Sequence, residues 1–211
     1  MAFPNAAFTL PPLALRTAGP KRVFYGALNR GAFSAAMARS LGPAIAAHPA
    51  TSFDVVHDQA FFDALPTDRK NFWPLLDYQD YLDTIKSCDI ALLPLAGDDF
   101  ELFKSDLKYV ECASRGAAVI ASSAVYAESV NDGRTGLIAH RLEDWAPALC
   151  HLLDDEGFRL SLTQNAHAYV RTQRMFTGQI ERRLHWYQQL WAQRERLNVE
   201  LLNRCPALGE P

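Results

Sequence analysis

Short apolar runs alternate with stretches of helical apolar spacing along most of the chain. The run RVFYGAL at 22–28 predicts a first strand, followed by the turn Asn29-Arg30-Gly31 and an alanine-rich helical stretch at 32–47. TSFDVVH at 51–57 predicts a second strand, and 59–65 a short helix ended by Pro66. NFWPLL at 71–76 is a third strand that Pro74 confines to an edge or a strand end. A helix is expected at 79–88, then the buried strand DIALLPL at 89–95 and a loop at 96–104. In the next helix Ser105 is the expected N-cap, with Leu107, Val110, Ala113 and Ser114 as a narrow buried face. It stops at Gly116, before the apolar run 117–122. Beyond the turn signal NDGRTG at 131–136 come Leu137-Ile138 and helices at 142–153, 156–173 and 177–200. Trp186, Leu190 and Leu197 form the buried stripe expected of the last helix, or a patch awaiting a partner.

This alternation predicts an α/β fold, a doubly wound, Rossmann-like parallel sheet with helices on both faces and further helices at the C-terminal end. The expected organisation is an irregular arm or linker remnant at 1–21, one α/β domain with its C-terminal helices at 22–200, and a tail at 201–211. Ligands of such sheets sit in the crevice at the carboxyl ends of the strands. The turns after residues 28, 76, 95 and 122 are therefore the ones to watch.

Composition narrows the function classes. With 211 residues, 49% of them apolar, and a formal net charge of −3, the chain is an ordinary globular protein rather than a general nucleic-acid binder. No apolar run reaches the ~20 residues of a membrane span, and the proline-broken N-terminus is a poor signal peptide. The four cysteines, Cys88, Cys112, Cys150 and Cys205, show no CxxC pair and no histidine at metal-ligand offsets. Three lie in helical or strand-edge patterns and read as reduced core thiols. His57-Asp58, at the end of the second strand, reads as structural because no nucleophile accompanies it.

The charges at the start of the 105 helix are unusual. Lys104 and Lys108 stand at the positive end of the helix dipole, where cations are unfavourable. An anion bound by the helix-start amides would account for both, and Arg30 faces the same crevice from the first strand. Glu111, among Tyr109, Val110, Cys112 and Ala113, needs hydrogen-bond donors, and a ribose offers two hydroxyls. The plainer alternative pairs Lys108 with Glu111 and Lys104 with Asp106 on a solvated helix end.

The run SDLKYVECASRGAAVIASS at 105–123, followed by ESVNDGRTGLI at 128–138, resembles the donor-binding, C-terminal domain of GT-B glycosyltransferases of the family 4, or group 1, kind. Shared elements are a lysine three residues before a glutamate, a small-residue helix, a glycine, an apolar strand and the E-x-V-x-D-G-x-T-G-L pattern. The likeness runs from about residue 22 to about residue 190. It implies that Glu111, matching the second glutamate of an E-x7-E motif, binds ribose. It also implies that the amides of Ser105, Asp106 and Leu107 hold a diphosphate, and that Arg30 and Lys104, with Lys108, neutralise the leaving group. The base would lie near Leu76, Asp77 and Tyr78. The first glutamate of that motif is replaced by Phe103, with Glu101 and Asp99 out of register.

The resemblance thus implies a donor-binding domain that takes a nucleotide-diphosphate sugar as substrate and supports transfer to an acceptor with retention, using neither metal nor other cofactor. Only 21 residues precede the first strand, so the acceptor-binding half is expected on a separate domain or chain. The alternative is a non-catalytic nucleotide-sugar-binding module. A cytoplasmic protein, free or peripheral to a membrane, with no nucleic-acid partner, fits either reading.

Overall fold

A computed structural model describes residues 3–28 and 30–209; Asn29, in the expected first turn, and the ends of the arm and tail lie outside the described residues. Six parallel strands form one sheet: β1 (Arg22–Gly26), β2 (Ser52–Val56), β3 (Lys70–Trp73), β4 (Ile90–Leu93), β5 (Ala118–Ser122) and β6 (Leu137–Ala139). Their order is β3-β2-β1-β4-β5-β6, every adjacent pair parallel. The chain winds outward from β1 to β3, returns to place β4 on the other side of β1, and winds outward again. The switch point lies between the carboxyl ends of β1 and β4, where such sheets hold their ligands. As Pro74 requires, β3 is an edge strand that stops one residue earlier.

Strand alternation sends side chains to two cores. Tyr25, Phe53, Val55, Leu92 and Ile120 pack under α1 (Ala32–Ser40), α2 (Gly42–Ala47), α3 (Gln59–Ala64) and α7 (Trp145–Asp154). Phe24, Ala91, Leu93, Val119 and Ala121 pack under α4 (Tyr78–Lys86), α5 (Leu107–Arg115) and α8 (Glu156–Gln173). The expected 32–47 helix is two, because Gly42-Pro43 restarts the backbone at the N-terminus of α2. Between β5 and β6, the short turn α6 (Ser123–Tyr126) carries Val125 at a left-handed φ of 66°.

The α5 helix starts later than expected. Asp106, not Ser105, is its N-cap residue, and Leu107 is 37% exposed rather than part of the buried face. Gly116 ends it at φ 84°, and a Cβ there would lie 2.9 Å from Leu13 Cδ1 of the arm. Gly116→Ala should therefore cost about 1–2 kcal/mol in a urea titration, from backbone strain plus displacement of Leu13.

The arm is irregular but docked. Ala7 donates to the Arg174 carbonyl at 2.8 Å and accepts from the Phe176 amide at 2.9 Å, while Phe8 packs on Phe176 and Phe3 on Trp186. The expected last helix is broken at Gln193 into α9 (Ile180–Ala192) and α10 (Arg194–Arg204). Neither contains a buried residue; Trp186, Leu190 and Leu197 are half-buried and Trp191 is 70% exposed. Of the cysteines, all free, Cys88 and Cys112 are buried, Cys150 is half-buried and Cys205, in the tail, is exposed. No helix of the described residues is long and apolar enough to cross a membrane.

Candidate functional site

At the switch point the strand ends open into two adjoining cavities. One, of about 210 Å³, is largely apolar and lined by Ala27, Leu28, His57, Leu76, Tyr78 and Tyr81, among others. Its neighbour, of about 290 Å³, is lined by Arg30, Lys104, Ser105, Leu107, Lys108 and Glu111, with Leu28, Leu95 and Tyr126 completing the wall. Leu28 and Lys108 line both, so the two cavities are immediate neighbours. A larger cavity, about 650 Å³ against α9 and α10, is remote from the strand ends and lined by no residue of the sheet.

Eight of the ten residues expected to meet diphosphate, ribose or base line this pair of cavities, and Asp106 and Asp77 do not. Asp106 has another partner. Its carboxylate turns away to accept both guanidinium branches of Arg174 (2.7 and 2.8 Å) and the Ser129 hydroxyl. Consequently, no side chain among the described residues caps α5, whose first residues, Leu107 and Lys108, line the polar cavity. Asp77 likewise serves structure, capping α4 by accepting the Asp80 amide at 2.9 Å.

Neither pairing of the plainer alternative forms. Lys108 reaches across to the carbonyl of Gly26, the last residue of β1, rather than to Glu111. Enclosure of its ammonium, followed by the nearby Arg30 charge, brings its pKa down to about 8. Glu111 is 8% exposed and accepts from Tyr78 Oη at 3.0 Å and Tyr81 Oη at 3.4 Å. Burial raises its pKa despite those donors and Lys108. A carboxylate has about four acceptor sites, so Glu111 retains capacity for further hydroxyls.

Lys104 meets Glu101. The Glu101 Oε1 accepts from Arg30 Nη1 at 2.7 Å and Lys104 Nζ at 3.2 Å; its Oε2 accepts the amides of Ala96 and Gly97, the latter at 3.0 Å. Arg30 also donates to the Pro94 carbonyl at 2.6 Å, and its Nε is buried with no partner among the described residues. Phe103, at the position of the first family glutamate, is 91% exposed. Glu101 was out of register in the sequence but is the hub of the cation cluster. Its one local signal is Asp98, which accepts the Glu101 amide at 2.7 Å and shapes the turn.

Two further residues of the site region have structural duties or strain. Asp58 caps α3 through the Phe61 amide at 3.1 Å and accepts from Ser34, Tyr25 and the Arg30 amide, so its role is structural as expected. His57 adopts φ 68°, unusual for a residue with a side chain, at the wall of the apolar cavity.

No family model matches the chain, and no curated protein matches it in sequence. Solved structures do. The C-terminal domain of LpcC, a glycosyl transferase group 1 family protein from Francisella tularensis, is similar with a TM-score of 0.62 at 18% identity, over 74% of this chain and 88% of that one. Sucrose-phosphate synthase from Thermosynechococcus elongatus gives 0.64 at 19%, over 82% and 46%. HepE of Anabaena, in complex with UDP and glucose, gives 0.57 at 17%, over 79% and 48%. The chain thus spans about half the length of the last two. At such identities the likeness establishes the fold, which is that of the C-terminal domain of GT-B group 1 glycosyltransferases, as residues 105–138 led one to expect.

Proposed function

We propose that this chain is the donor-binding domain of a glycosyltransferase, holding a nucleotide-diphosphate sugar across the two cavities at the switch point. One observation carries the reading: an apolar slot and a cation-lined pocket lie side by side at the strand ends, sharing Leu28 and Lys108 in their walls. In this reading the base enters the slot beside Leu76 and Tyr78. The ribose reaches Glu111, and the diphosphate lies against Arg30, Lys104, Lys108 and the uncapped amides of α5. The solved complex of HepE with UDP and glucose makes UDP the first probe to use.

The chemistry asked of these residues is stabilisation of a leaving group. As the bond between sugar and diphosphate breaks, negative charge grows on the diphosphate, and preorganised cations and amides lower the energy of that state. Transfer with retention, to an acceptor held by a separate domain or chain, completes the proposal; no residue here is assigned to the acceptor.

Calorimetric titration with UDP tests the binding. Arg30→Ala and Lys104→Ala should each weaken it by roughly 1–3 kcal/mol, the usual range for hydrogen bonds to charged groups. Unchanged affinity in both variants removes the assignment. The second reading, a binding module without turnover, draws support from Phe103 in place of the first family glutamate. UDP release from UDP-glucose by the chain, alone or with an acceptor-binding partner, separates the two.

A further inference from the structure

We propose that Glu101 is a fixed counter-charge that limits how far the site favours the free nucleoside diphosphate left after transfer over the sugar diphosphate. The inference rests on the diphosphate reading above and adds a specificity-determining residue to it.

Geometry favours a permanent role over a passing contact. Glu101 is only 5% exposed, and both of its oxygens are engaged. Two backbone amides hold Oε2, while Oε1 takes the two cations that face the polar cavity. It does not itself line that cavity. The carboxylate therefore stands behind Arg30 and Lys104 and cannot swing away without abandoning the Ala96 and Gly97 amides. Around the cavity the charges are Arg30, Lys104 and Lys108 against Glu101 and Glu111, leaving one net positive charge in place of two.

A fixed negative charge behind the cations weakens their pull on every anion, in proportion to the charge the anion brings. A free nucleoside diphosphate ends in a phosphate monoester whose second ionisation falls near pH 6, so above that it carries one more negative charge than its sugar ester. Glu101 thus penalises the product more than the substrate and favours exchange of one for the other. Its immediate neighbour in the turn, Phe100, lies 5.2 Å from the Lys104 ammonium and offers no compensating negative charge.

The test compares UDP with UDP-glucose by calorimetry at pH 8, in the wild-type chain and in Glu101→Gln. Glutamine can still accept from the two amides through its carbonyl oxygen. Both ligands should bind the variant more tightly, with UDP gaining on the order of threefold to tenfold more than UDP-glucose. Equal gains, or equal losses, for the two ligands overturn the proposal and leave the site reading standing. Binding of neither ligand by the wild-type chain overturns both. A measurement with Glu101 intact decides the matter if the variant does not fold. From pH 5 to pH 7 the ratio of UDP to UDP-glucose affinity should rise by no more than about twofold, because Glu101 offsets part of what the extra charge would gain. Titration of Glu111 and Lys108 also weighs more on the more highly charged ligand, so the ratio is followed in a Glu111→Gln background and below the pH near 8 at which Lys108 loses its proton. A tenfold rise of the ratio overturns the proposal.

Discussion

Replacing Lys108 by glutamine should lower the affinity for UDP by roughly 10- to 100-fold, a loss of about 1.5–3 kcal/mol in a charge-assisted contact. Lys108 is the one charged residue common to both cavities, and its hydrogen bond to the Gly26 carbonyl fixes the ammonium at the end of β1. The wild type should also show a pH dependence that the variant lacks. Diphosphate binding favours the protonated amine, and in the free protein that proton is lost near pH 8. Affinity should then be level below about pH 8 and decline above it, until the pH passes the higher pKa that Lys108 has in the complex. Stability runs the other way. The folded state lowers this pKa from 10.5 to about 8, so between those values the unfolded chain binds more protons and stability rises with pH. Calorimetry and urea titrations from pH 7 to 10 check both slopes, and a UDP affinity that holds level through pH 9.5 contradicts the placement of this ammonium against the diphosphate.

Arg174→Ala should destabilise the fold by about 3–5 kcal/mol, the cost of leaving a buried partner charge uncompensated. The guanidinium meets Asp106 in a bidentate pair, with side-chain exposures of 5% and 13%, and also binds Tyr169 Oη at 2.8 Å and the Asn5 carbonyl at 2.9 Å. Burial works to raise the Asp106 pKa, but the hydrogen bonds from Arg174 and Ser129 outweigh it and hold the carboxyl below its ordinary value. The stabilisation is therefore complete above the unfolded carboxyl pKa and is lost as pH falls through the lowered one. In urea denaturation followed from pH 7 to pH 3, the wild type should lose this increment and the variant should have none to lose.

The sheet was legible because its strands are short apolar runs separated by turn residues. DIALLPL could only be a strand buried on both faces, and Pro74 marked the edge before any pairing was known. The cavity-lining positions Arg30, Lys104, Lys108 and Glu111 were legible from misplaced charge and from the family-like pattern around them. What could not be read are contacts between residues remote in sequence. Glu101 and Arg30 are 71 positions apart, and Arg174 and Asp106 are 68 apart, so no local periodicity records either pair. The N-cap fell on Asp106 rather than Ser105, a shift of one position between two residues with similar capping preference. Cys150 and the Trp186 stripe are only half-buried for a different reason. Helical spacing states which side chains share a face, not whether anything covers it.

The docked arm has a consequence for how the chain is made. Ala7 is joined to Arg174 and Phe176, so this strap closes a loop of more than 160 residues. During synthesis the arm emerges more than 160 residues ahead of its partners and has nothing to dock on until α8 and the segment beyond it have left the ribosome. The sheet can assemble from its neighbouring β-α units before then, whereas this strap is sealed last. Its apolar residues, Leu10 and Leu13 among them, therefore stay uncovered until those later segments are made.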